Sequence, residues 1–368
     1  MNNRIVILTQ WFDPEPTFKG LLFAKKLEER GFEVEVVTGY PNYPGGRLYD
    51  GYKLHLYKKD IVDGIKVHRV YLYPSHDSSK IRRIMNYSSF ALSALFFCLF
   101  FLKRPKALYV YHPPLTTGVV ASIVSKIRRI PFVYDIQDLW PDTLKSTGMI
   151  SSEKVLAWVG RVAHYVYKSA TSIVVLSEGF KQLLINRGVD PNKISVIYNW
   201  ADERYIKPAA KENYCLGSTF NVLYAGNFGK AQDLSVLVEA AELLKDKGCI
   251  KITLIGNGQE KYKLNQLVKE KRLSNIEILD SVPVSEISSY LSSADALFVH
   301  LKSDPLFTVT IPGKTQAYLA VGKPIIMGVE GCAAELIDLS GGGVLVKSSD
   351  HLLLWKVFLS WRLWMRSS

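Results

Sequence analysis

The chain has 368 residues, enough for about two domains, and its 46 lysines and arginines against 34 aspartates and glutamates give a formal net charge of +12. Hydrophobic residues make up 48% and charged residues 22%, which excludes a disordered chain and is typical of globular proteins. The positive charge favours an acidic partner, namely nucleic acid, a nucleotide or an anionic lipid surface, with a merely solvated basic surface as the alternative. The cysteines are scattered without a C-x-x-C pair, which predicts reduced thiols in a cytosolic protein; they are Cys98, Cys215, Cys249 and Cys332.

The first half of the chain alternates between strand and helix patterns. Residues 1–4 lead straight into an apolar run and are too short for a signal-peptide core. A helix is predicted at 18–30, because apolar residues recur there at helical spacing and Gly31 follows as a stop signal. Strands are predicted at 4–9, 33–38, 65–71, 107–111, 132–136 and 173–176. Short apolar strands with helices between them indicate a parallel sheet covered on both faces.

An uncharged apolar run from Phe90 to Leu102 stands out in this half. It is shorter than the roughly 20 residues that a spanning helix needs. One interpretation is a helix buried in a large core. The other, which we favour because cations flank the run on both sides, is a helix that dips into the membrane interface with its charges near anionic head groups. The flanking cations are Lys80, Arg82, Arg83, Lys103 and Arg104.

The second half repeats the alternation. Strands are predicted at 222–225, 252–255, 276–279, 296–299, 325–327 and 344–346, and a polar stretch before Ser218 indicates a boundary between domains. We therefore predict an N-terminal domain at 1–200 with a membrane-interface segment near 80–104, and a C-terminal domain at 201–346. Residues 347–368, with three tryptophans among cations, form an atypical amphipathic tail, interpreted as an altered end or an interfacial helix.

Two loops of the second half combine glycine and lysine after a predicted strand. The first runs from Gly226 to Lys230, ahead of a helix pattern at 233–247, and the second is Ile311-Pro312-Gly313-Lys314-Thr315. Glycines at a strand-to-helix turn let backbone N–H groups approach a phosphate, and the helix N-terminus adds partial positive charge. Ordinary turns and solvated lysines are the alternative. Together the loops predict a pocket for a nucleoside diphosphate.

A set of motifs over residues 1–345 points to one family. They are WFDPE at 11–15, GYPNYP at 39–44, YHPPLTTG at 111–118, YDIQDLWP at 134–141, the Asn199-Trp200 junction and the two glycine–lysine loops. With this set the chain resembles the bacterial retaining glycosyltransferases of glycosyltransferase family 4, and more narrowly the O-antigen and capsule enzymes that transfer N-acetyl-L-fucosamine. The resemblance implies an α/β GT-B fold, in which two facing Rossmann-like, doubly wound lobes enclose a cleft.

The resemblance also implies an activity. A sugar would pass, with retention at its anomeric carbon, from a UDP-sugar in the C-terminal lobe to an undecaprenyl-diphosphate-linked acceptor in the N-terminal lobe. It implies no metal, and no other cofactor is expected. No nucleic-acid partner is expected either, because a recognised motif is missing, and the basic-flanked apolar run predicts a peripheral position on the cytoplasmic side of an anionic membrane. The broad family usually has two glutamates near the ribose and an Arg and a Lys in its phosphate loop. This chain departs from the family at all four positions. Those positions carry Val309, Ala317, Asn227 and Gln232.

Four residues are the catalytic candidates. Lys230 and Lys314 are candidates for stabilising the departing diphosphate, because preorganised positive charge favours charge that develops on a phosphate. His112 is a candidate for holding the donor sugar or the acceptor, with a structural histidine as the alternative. Asp138 is a candidate for orienting or deprotonating the acceptor hydroxyl, with a helix N-cap as the alternative.

The nucleotide-binding candidates lie mostly in the two loops. Glu178 is a candidate because it follows a predicted strand. Glu335 is a candidate for binding the ribose, and the alternative is a carboxylate that only stabilises a helix N-terminus. Asp13 and Glu15 are weaker acceptor-side candidates, and no zinc-ligand spacing is present. The complete set of nucleotide-binding candidates is Gly226, Asn227, Gly229, Gly313, Glu178 and Glu335.

Two other functions compete with glycosyl transfer. A sugar-nucleotide 2-epimerase has the same two-lobed fold, and fold alone does not separate the two. The basic-flanked apolar run argues for a lipid-linked acceptor, which an epimerase lacks. A non-catalytic membrane scaffold or nucleic-acid binder leaves the glycine–lysine loops unexplained, and the chain carries no recognised nucleic-acid motif.

Overall fold

The computed structural model describes residues 3–75, 80–208, 219–247, 250–350, 352 and 354–360. Contacts divide the chain into unit 1, which comprises Met1–Leu176 and Phe180–Tyr198, and unit 2, which comprises Ser177–Gly179 and Asn199–Ser368. Cys215 and Cys249 lie outside the described residues, as does part of the predicted linker, residues 209–218.

Unit 1 is built on an eight-stranded sheet in the order β3-β4-β2-β1-β5-β6-β7-β8. All neighbouring strands are parallel except β3, which runs antiparallel to β4 at one edge. The strands are β1 Arg4–Leu8, β2 Glu33–Thr38, β3 Tyr57–Val62, β4 Ile65–Val70, β5 Ala107–His112, β6 Phe132–Ile136, β7 Ser172–Val175 and β8 Ile194–Val196. The helices are α1 Leu21–Glu29, α2 Lys80–Phe100, α3 Leu115–Arg128, α4 Asp142–Ser146, α5 Glu153–Ser169 and α6 Glu178–Asn186.

Unit 2 is built on a six-stranded parallel sheet in the order β11-β10-β9-β12-β13-β14. The strands are β9 Phe220–Ala225, β10 Ile250–Ile255, β11 Ile276–Leu279, β12 Ala296–His300, β13 Ile325–Gly328 and β14 Gly343–Leu345. The helices are α7 Ser235–Leu244, α8 Lys261–Glu270, α9 Val284–Ser293, α10 Pro305–Thr308, α11 Lys314–Val321 and α12 Cys332–Ser340. In both units the strand order reverses beside the first strand, and open α/β sheets bind ligands at the carboxyl ends of the strands there.

The predicted strands and the observed strands agree within a few residues. Apolar strands such as β2 and β12 are covered on both faces, which is why their residues form continuous buried runs. Gly31 ends α1 as expected, with a φ of +86° that glycine adopts without steric cost. β3 and β8 were not predicted from the sequence, because β3 is a largely exposed edge strand with charged residues and β8 has only three residues.

The apolar run lies in α2, which begins ten residues earlier than the run itself. Among the described residues, Ile81–Phe100 is a helix long and apolar enough to cross a membrane, a property that core helices of soluble proteins share. One face of α2 is core, with Phe90, Ala94 and Cys98 fully buried. Leu92 and Phe100, on another face, are 69% and 70% exposed. α2 therefore has one buried face, as the core interpretation predicts, and one exposed apolar face, whose contact with a membrane stays a prediction.

The C-terminal segment differs from the predicted separate tail. Residues 352 and 354–360 are helical, and Leu354 and Phe358 are buried in the hydrophobic core of unit 2. Residues 361–368, which carry two of the three tryptophans, lie outside the described residues. The described part of this segment is therefore an element of unit 2.

Candidate active site

The first glycine loop of unit 2 lies where β9 ends, beside the reversal of strand order. Gly226 has a φ of +144°, and a Cβ on Gly256 would lie 1.9 Å from the Gly226 carbonyl oxygen. The backbone after β9 therefore packs directly on the backbone after β10, a contact that only glycine allows. The two glycines of Gly256-Asn257-Gly258 are the sequence signal for this close contact.

Two tyrosines hold this loop in place. The hydroxyl of Tyr224 donates to the carbonyl oxygen of Asn227 at 2.7 Å. The hydroxyl of Tyr318, which is buried on α11, accepts from the backbone N–H of Ala225 at 2.8 Å. Neither tyrosine belongs to a local motif, so only the tertiary structure assigns them to the site.

Lys314 is the most unusual residue of the site. Its Nζ is fully enclosed, has no hydrogen-bond partner among the described residues, and lies 3.4 Å from the centre of the Tyr224 ring. A Cβ on Gly226 would be 2.8 Å from that Nζ, so the lysine points at the open glycine. Burial without an opposite charge holds the pKa of Lys314 well below its usual value. An anion beside Gly226 is what this ammonium lacks.

The N-terminus of α11 also favours an anion at this place. Gly313 is the N-cap residue, and no side chain caps the helix. The hydroxyl of Thr315 is also buried without a partner in the described part of the chain. A helix start without a side-chain cap attracts anions, although the N–H of Thr315 already donates to the carbonyl oxygen of Pro312 at 2.9 Å. Three features of one short segment therefore favour a bound phosphate.

The other candidates of the loops have different surroundings. Lys230 is exposed and lines a surface groove with Asp233, Glu260 and Lys263, so it does not share the enclosure of Lys314. The side chain of Gln232 accepts from the N–H of Gly229 at 3.1 Å, and thus stabilises the loop where the broad family has a cation. Asn227 is exposed beside Gly229.

His300, at the end of β12, was not predicted from the sequence. Its Nε2 accepts from the backbone N–H of Ser349 at 2.9 Å, so Nδ1 carries the proton and donates to the carbonyl oxygen of Gln232 at 2.7 Å. Burial lowers the pKa of His300. His300 is therefore neutral and links Gln232, just after the first glycine–lysine loop, to Ser349, which follows β14.

In unit 1, Asp138 lies on the segment after β6 and is half-buried. Burial raises the pKa of its carboxyl to about 6. No hydrogen bond from the described residues satisfies it, and it does not act as the N-cap of α4, whose N-cap residue is Pro141. A carboxyl with a raised pKa and free acceptor capacity suits a general base.

His112 ends β5 and is buried, with its Nδ1 unpartnered among the described residues. Burial lowers the pKa of the imidazole to about 3, so it is neutral at physiological pH. The ring makes an edge-to-face contact with Trp140, the centroids being 5.5 Å apart. His112 can therefore take part in hydrogen bonds but not as a cation.

The two weaker candidates have structural partners. Asp13 accepts from the backbone N–H of Leu21 at the start of α1, at 2.6 Å. Glu15 accepts from the backbone N–H groups of Phe12, Asn42 and Tyr43, and thereby joins the loops after β1 and β2. Burial raises the pKa of Glu15 to about 7, although these hydrogen bonds oppose the shift. Both residues shape the carboxyl edge of the sheet.

A buried ion pair at the same edge was also missed. The carboxyl of Asp135 lies 3.7 Å from Nζ of Lys19 and accepts from the Tyr109 hydroxyl at 2.5 Å. Asp135 belongs to the same sequence motif as Asp138, but its partners make it part of the scaffold. Glu178 and Glu335 are exposed in the first turns of α6 and α12. The described residues contain no cluster of three or more metal-ligating side chains.

Comparisons with known proteins bear on both units. The family model of the glycosyl transferase 4-like domain matches residues 21–200, and that of glycosyl transferases group 1 matches residues 219–355. The chain is 25% identical to WcaI of Escherichia coli (strain K12), whose name assigns it to colanic acid biosynthesis as a glycosyl transferase, over 87% of this chain and 81% of WcaI.

Solved structures agree with the fold. A sucrose-phosphate synthase from Thermosynechococcus elongatus superposes with a TM-score of 0.70 at 14% identity, covering 96% of this chain and 88% of that one. HepE from Anabaena, solved with UDP and glucose, has a TM-score of 0.66 at 16% identity, covering 98% and 89%.

The two Rossmann-like α/β units, each with a reversal of strand order in its sheet, are the domains of a GT-B protein. The two matched models, which together extend over most of the chain, then define the family. The chain belongs to the glycosyltransferases that combine a glycosyl transferase 4-like domain with a group 1 domain.

Proposed function

We propose that the protein is a retaining glycosyltransferase that takes its sugar from a UDP-sugar bound by unit 2. The observation that carries this proposal is Lys314, an enclosed ammonium without an anion that points at Gly226 beside an uncapped helix N-terminus. A diphosphate supplies the missing negative charge. The UDP bound to HepE supports uracil as the base of the donor. By resemblance, the sugar is N-acetyl-L-fucosamine or a related N-acetylated deoxysugar.

The proposed reaction exchanges one bond for another at the anomeric carbon. The bond between that carbon and the β-phosphate oxygen breaks, and its electron pair stays on the diphosphate, which Lys314 stabilises. The acceptor oxygen bonds to the same face of the carbon, and its proton passes to the carboxylate of Asp138 or to the departing phosphate. Stabilising the developing negative charge lowers the barrier more than general base action does.

We propose a lipid-linked acceptor, undecaprenyl-diphosphate-linked, in the biosynthesis of an O-antigen or capsular polysaccharide. The colanic acid assignment of WcaI supports a polysaccharide product. Support for the lipid comes from α2, whose exposed face carries Leu92, Phe96 and Phe100. A surface of this kind with neighbouring cations favours the interface of an anionic membrane.

We further propose that α2 lies on the membrane, on its cytoplasmic side, and does not cross it. The side chain of Arg128 on α3 donates to the carbonyl oxygens of Cys98 and Leu102, at 2.5 and 2.7 Å. The buried side chain of Asn86 donates to the carbonyl oxygen of Tyr73 at 2.7 Å. The helix is thus bonded into unit 1 at Asn86, in its first half, and at its C-terminal end, and a spanning helix would have to leave unit 1.

Mass spectrometry of reaction mixtures tests the proposal. The purified protein is incubated with a panel of UDP-sugars and a synthetic lipid-diphosphate-linked saccharide, with and without EDTA. We expect one added sugar on the acceptor, free UDP, and no effect of EDTA, since no metal is proposed. Conversion of the nucleotide sugar to its 2-epimer without an acceptor would support the epimerase instead, and no turnover of any UDP-sugar would refute the donor class.

A further inference from the structure

Four aromatic side chains gather at the carboxyl edge of the unit 1 sheet. Trp11 stacks on Tyr43, with ring centroids 4.6 Å apart and an angle of 29° between the planes. Tyr87 of α2 lies against Trp140, at 6.5 Å between centroids. All four keep part of their surface exposed. Tyrosine and tryptophan in such a position offer apolar faces together with polar atoms at their edges.

A hydrogen-bonded residue, Asn86, joins α2 to the loops that carry Trp11 and Tyr43. Asn86, which is buried next to Tyr87, accepts from the side chain of Gln10 at 2.5 Å and donates to Asn42 at 3.4 Å. Asn42 precedes Tyr43 in the chain. The aromatic cluster combines side chains from three separate loops and α2, and Asn86 bonds α2 to two of these loops, which preorganises part of the cluster.

Asp138 lies within the same cluster. Burial is the main cause that raises the pKa of both Tyr43 and Tyr87, and the charge of Asp138 contributes to each. Asp138, which precedes Trp140 by two residues, therefore lies near these rings and has free acceptor capacity among the described residues. Carboxylates and aromatic faces together suit a sugar ring, since the carboxylate accepts from hydroxyls while the rings cover the C–H face.

The first turns of α2 place a cation and apolar side chains near Tyr87. Arg83 precedes Tyr87 by four residues, so the two lie on one side of the helix about 6 Å apart along its axis. The guanidinium of Arg83 lowers the pKa of Tyr87, against the larger effect of burial. Ile81, Ile84 and Met85 around it are exposed. The first turns of α2 thus add a cation and exposed apolar side chains next to Tyr87.

We propose that this edge binds the end of a lipid-diphosphate-linked saccharide, with its accepting hydroxyl at Asp138, its terminal pyranose against Tyr43, Tyr87 and Trp140, and its diphosphate at Arg83. The inference rests on the proposed function and specifies its acceptor. Arg83 and Tyr87 are one helical turn apart, so a diphosphate at Arg83 lies about 6 Å along the helix from a pyranose at Tyr87. The proposed acceptor is therefore a lipid-linked saccharide, because a bare lipid phosphate leaves the aromatic faces uncovered.

Calorimetric titrations with three soluble probes, without donor, test this assignment. The probes are a short-chain prenyl diphosphate carrying N-acetylglucosamine, the same prenyl diphosphate without sugar, and octyl N-acetylglucosaminide. We expect Tyr87→Ala to weaken binding of the two sugar-bearing probes about tenfold, the effect of losing one aromatic face, and to leave the bare prenyl diphosphate unchanged. Arg83→Gln weakens both diphosphate probes by about tenfold or more and spares the octyl glycoside.

Matched controls are Tyr165→Ala and Arg161→Gln, both at exposed positions on α5, which change none of the three affinities. Equal weakening of all probes by Tyr87→Ala would mean that Tyr87 only positions α2, and binding of the bare diphosphate as tight as that of its glycosylated form would overturn the assignment. The affinity for UDP is measured for each variant as well. UDP binding without saccharide binding refutes this inference alone, whereas loss of both in the unaltered protein refutes the proposed function.

Discussion

The ammonium of Lys314 is enclosed without an anion, and this arrangement destabilises the ligand-free protein. An unpaired buried charge is costly, and the amine reduces that cost only by giving up its proton. Functional sites commonly lose stability in this way to gain binding. The same contact that favours a phosphate is therefore a weak point of the empty domain.

Replacing Lys314 by Met separates these two effects. We expect Lys314→Met to increase the free energy of unfolding by about 1 kcal/mol, because an apolar chain fills the enclosure. It should also lower the transfer rate by ~10²-fold or more, as for loss of one charge-stabilising donor. Thermal unfolding and product formation measure the two. The control Lys230→Met alters an exposed residue and should change stability by less than about 0.5 kcal/mol. A destabilised Lys314→Met variant would contradict the account.

The proton of Lys314 also links donor binding to pH. The folded-state pKa is depressed below the usual value, so the free site is mostly neutral above that pKa, and binding a diphosphate takes up a proton. UDP affinity should therefore fall as pH rises, by up to about tenfold for each pH unit. Titrations from pH 6 to pH 9, repeated with Lys314→Met, check this. A slope that survives the substitution would assign the proton to another group.

Asp138 sets the acid side of the activity profile. Its pKa of about 6 means that the carboxylate, the form that accepts a proton, predominates only above that pH. The rate should rise with pH and level off above about 6. The residual activity of the Asp138→Asn variant should not show this rise. The stability effect has the opposite sign. The folded protein binds the proton more tightly than the unfolded chain, so stability falls as pH rises towards 6, and Asp138→Asn should not destabilise the protein at pH 7.

At the scale of elements, α2 combines two roles that usually occur in different helices. Phe90, Ala94 and Cys98 pack into unit 1, while Leu92, Phe96 and Phe100 are exposed. Exposed large apolar side chains on one helix face mark an interaction surface. Because the buried face is already satisfied by unit 1, the exposed face is available to lipid.

Serine substitutions at Leu92, Phe96 and Phe100 test this role. Since each buried apolar side chain is worth about 1.5–3 kcal/mol, the triple variant should bind anionic liposomes at least ~10²-fold more weakly. Unfolding midpoints should change little, because the replaced side chains are exposed. Cosedimentation with liposomes of anionic and zwitterionic lipid measures binding, and Leu339→Ser, an exposed leucine of unit 2, is the control. Undiminished binding of the triple variant would rule out this face.

At the scale of the whole molecule, the chain builds the same type of α/β unit twice. Each sheet reverses its strand order beside its first strand, and in each the polar residues of interest follow strands. Gly226 and His300 follow β9 and β12 in unit 2, while His112 and Asp138 follow β5 and β6 in unit 1. Chain topology therefore decides which residues, distant in sequence, share a site.

Much of this organisation follows from the sequence alone, since apolar strands and helix periodicities are local patterns. Gly31, β2 and β11 were predicted within a residue for that reason, and the glycine–lysine loops marked the carboxyl end of β9. Charge and exposure are not local. The two loop lysines look alike in sequence, yet one lies in solvent and the other is enclosed by Tyr224 on a different element.

The sequence by itself determined the α/β class, the positions of most strands and the two loops that favour phosphate, because backbone preferences and hydrophobic periodicity act over a few residues. Only the tertiary structure decided which cation lacks a partner, which face of α2 is exposed, and that Asp138 lies among aromatic rings. Those properties depend on burial and on contacts between elements far apart in the chain, and no local pattern encodes them.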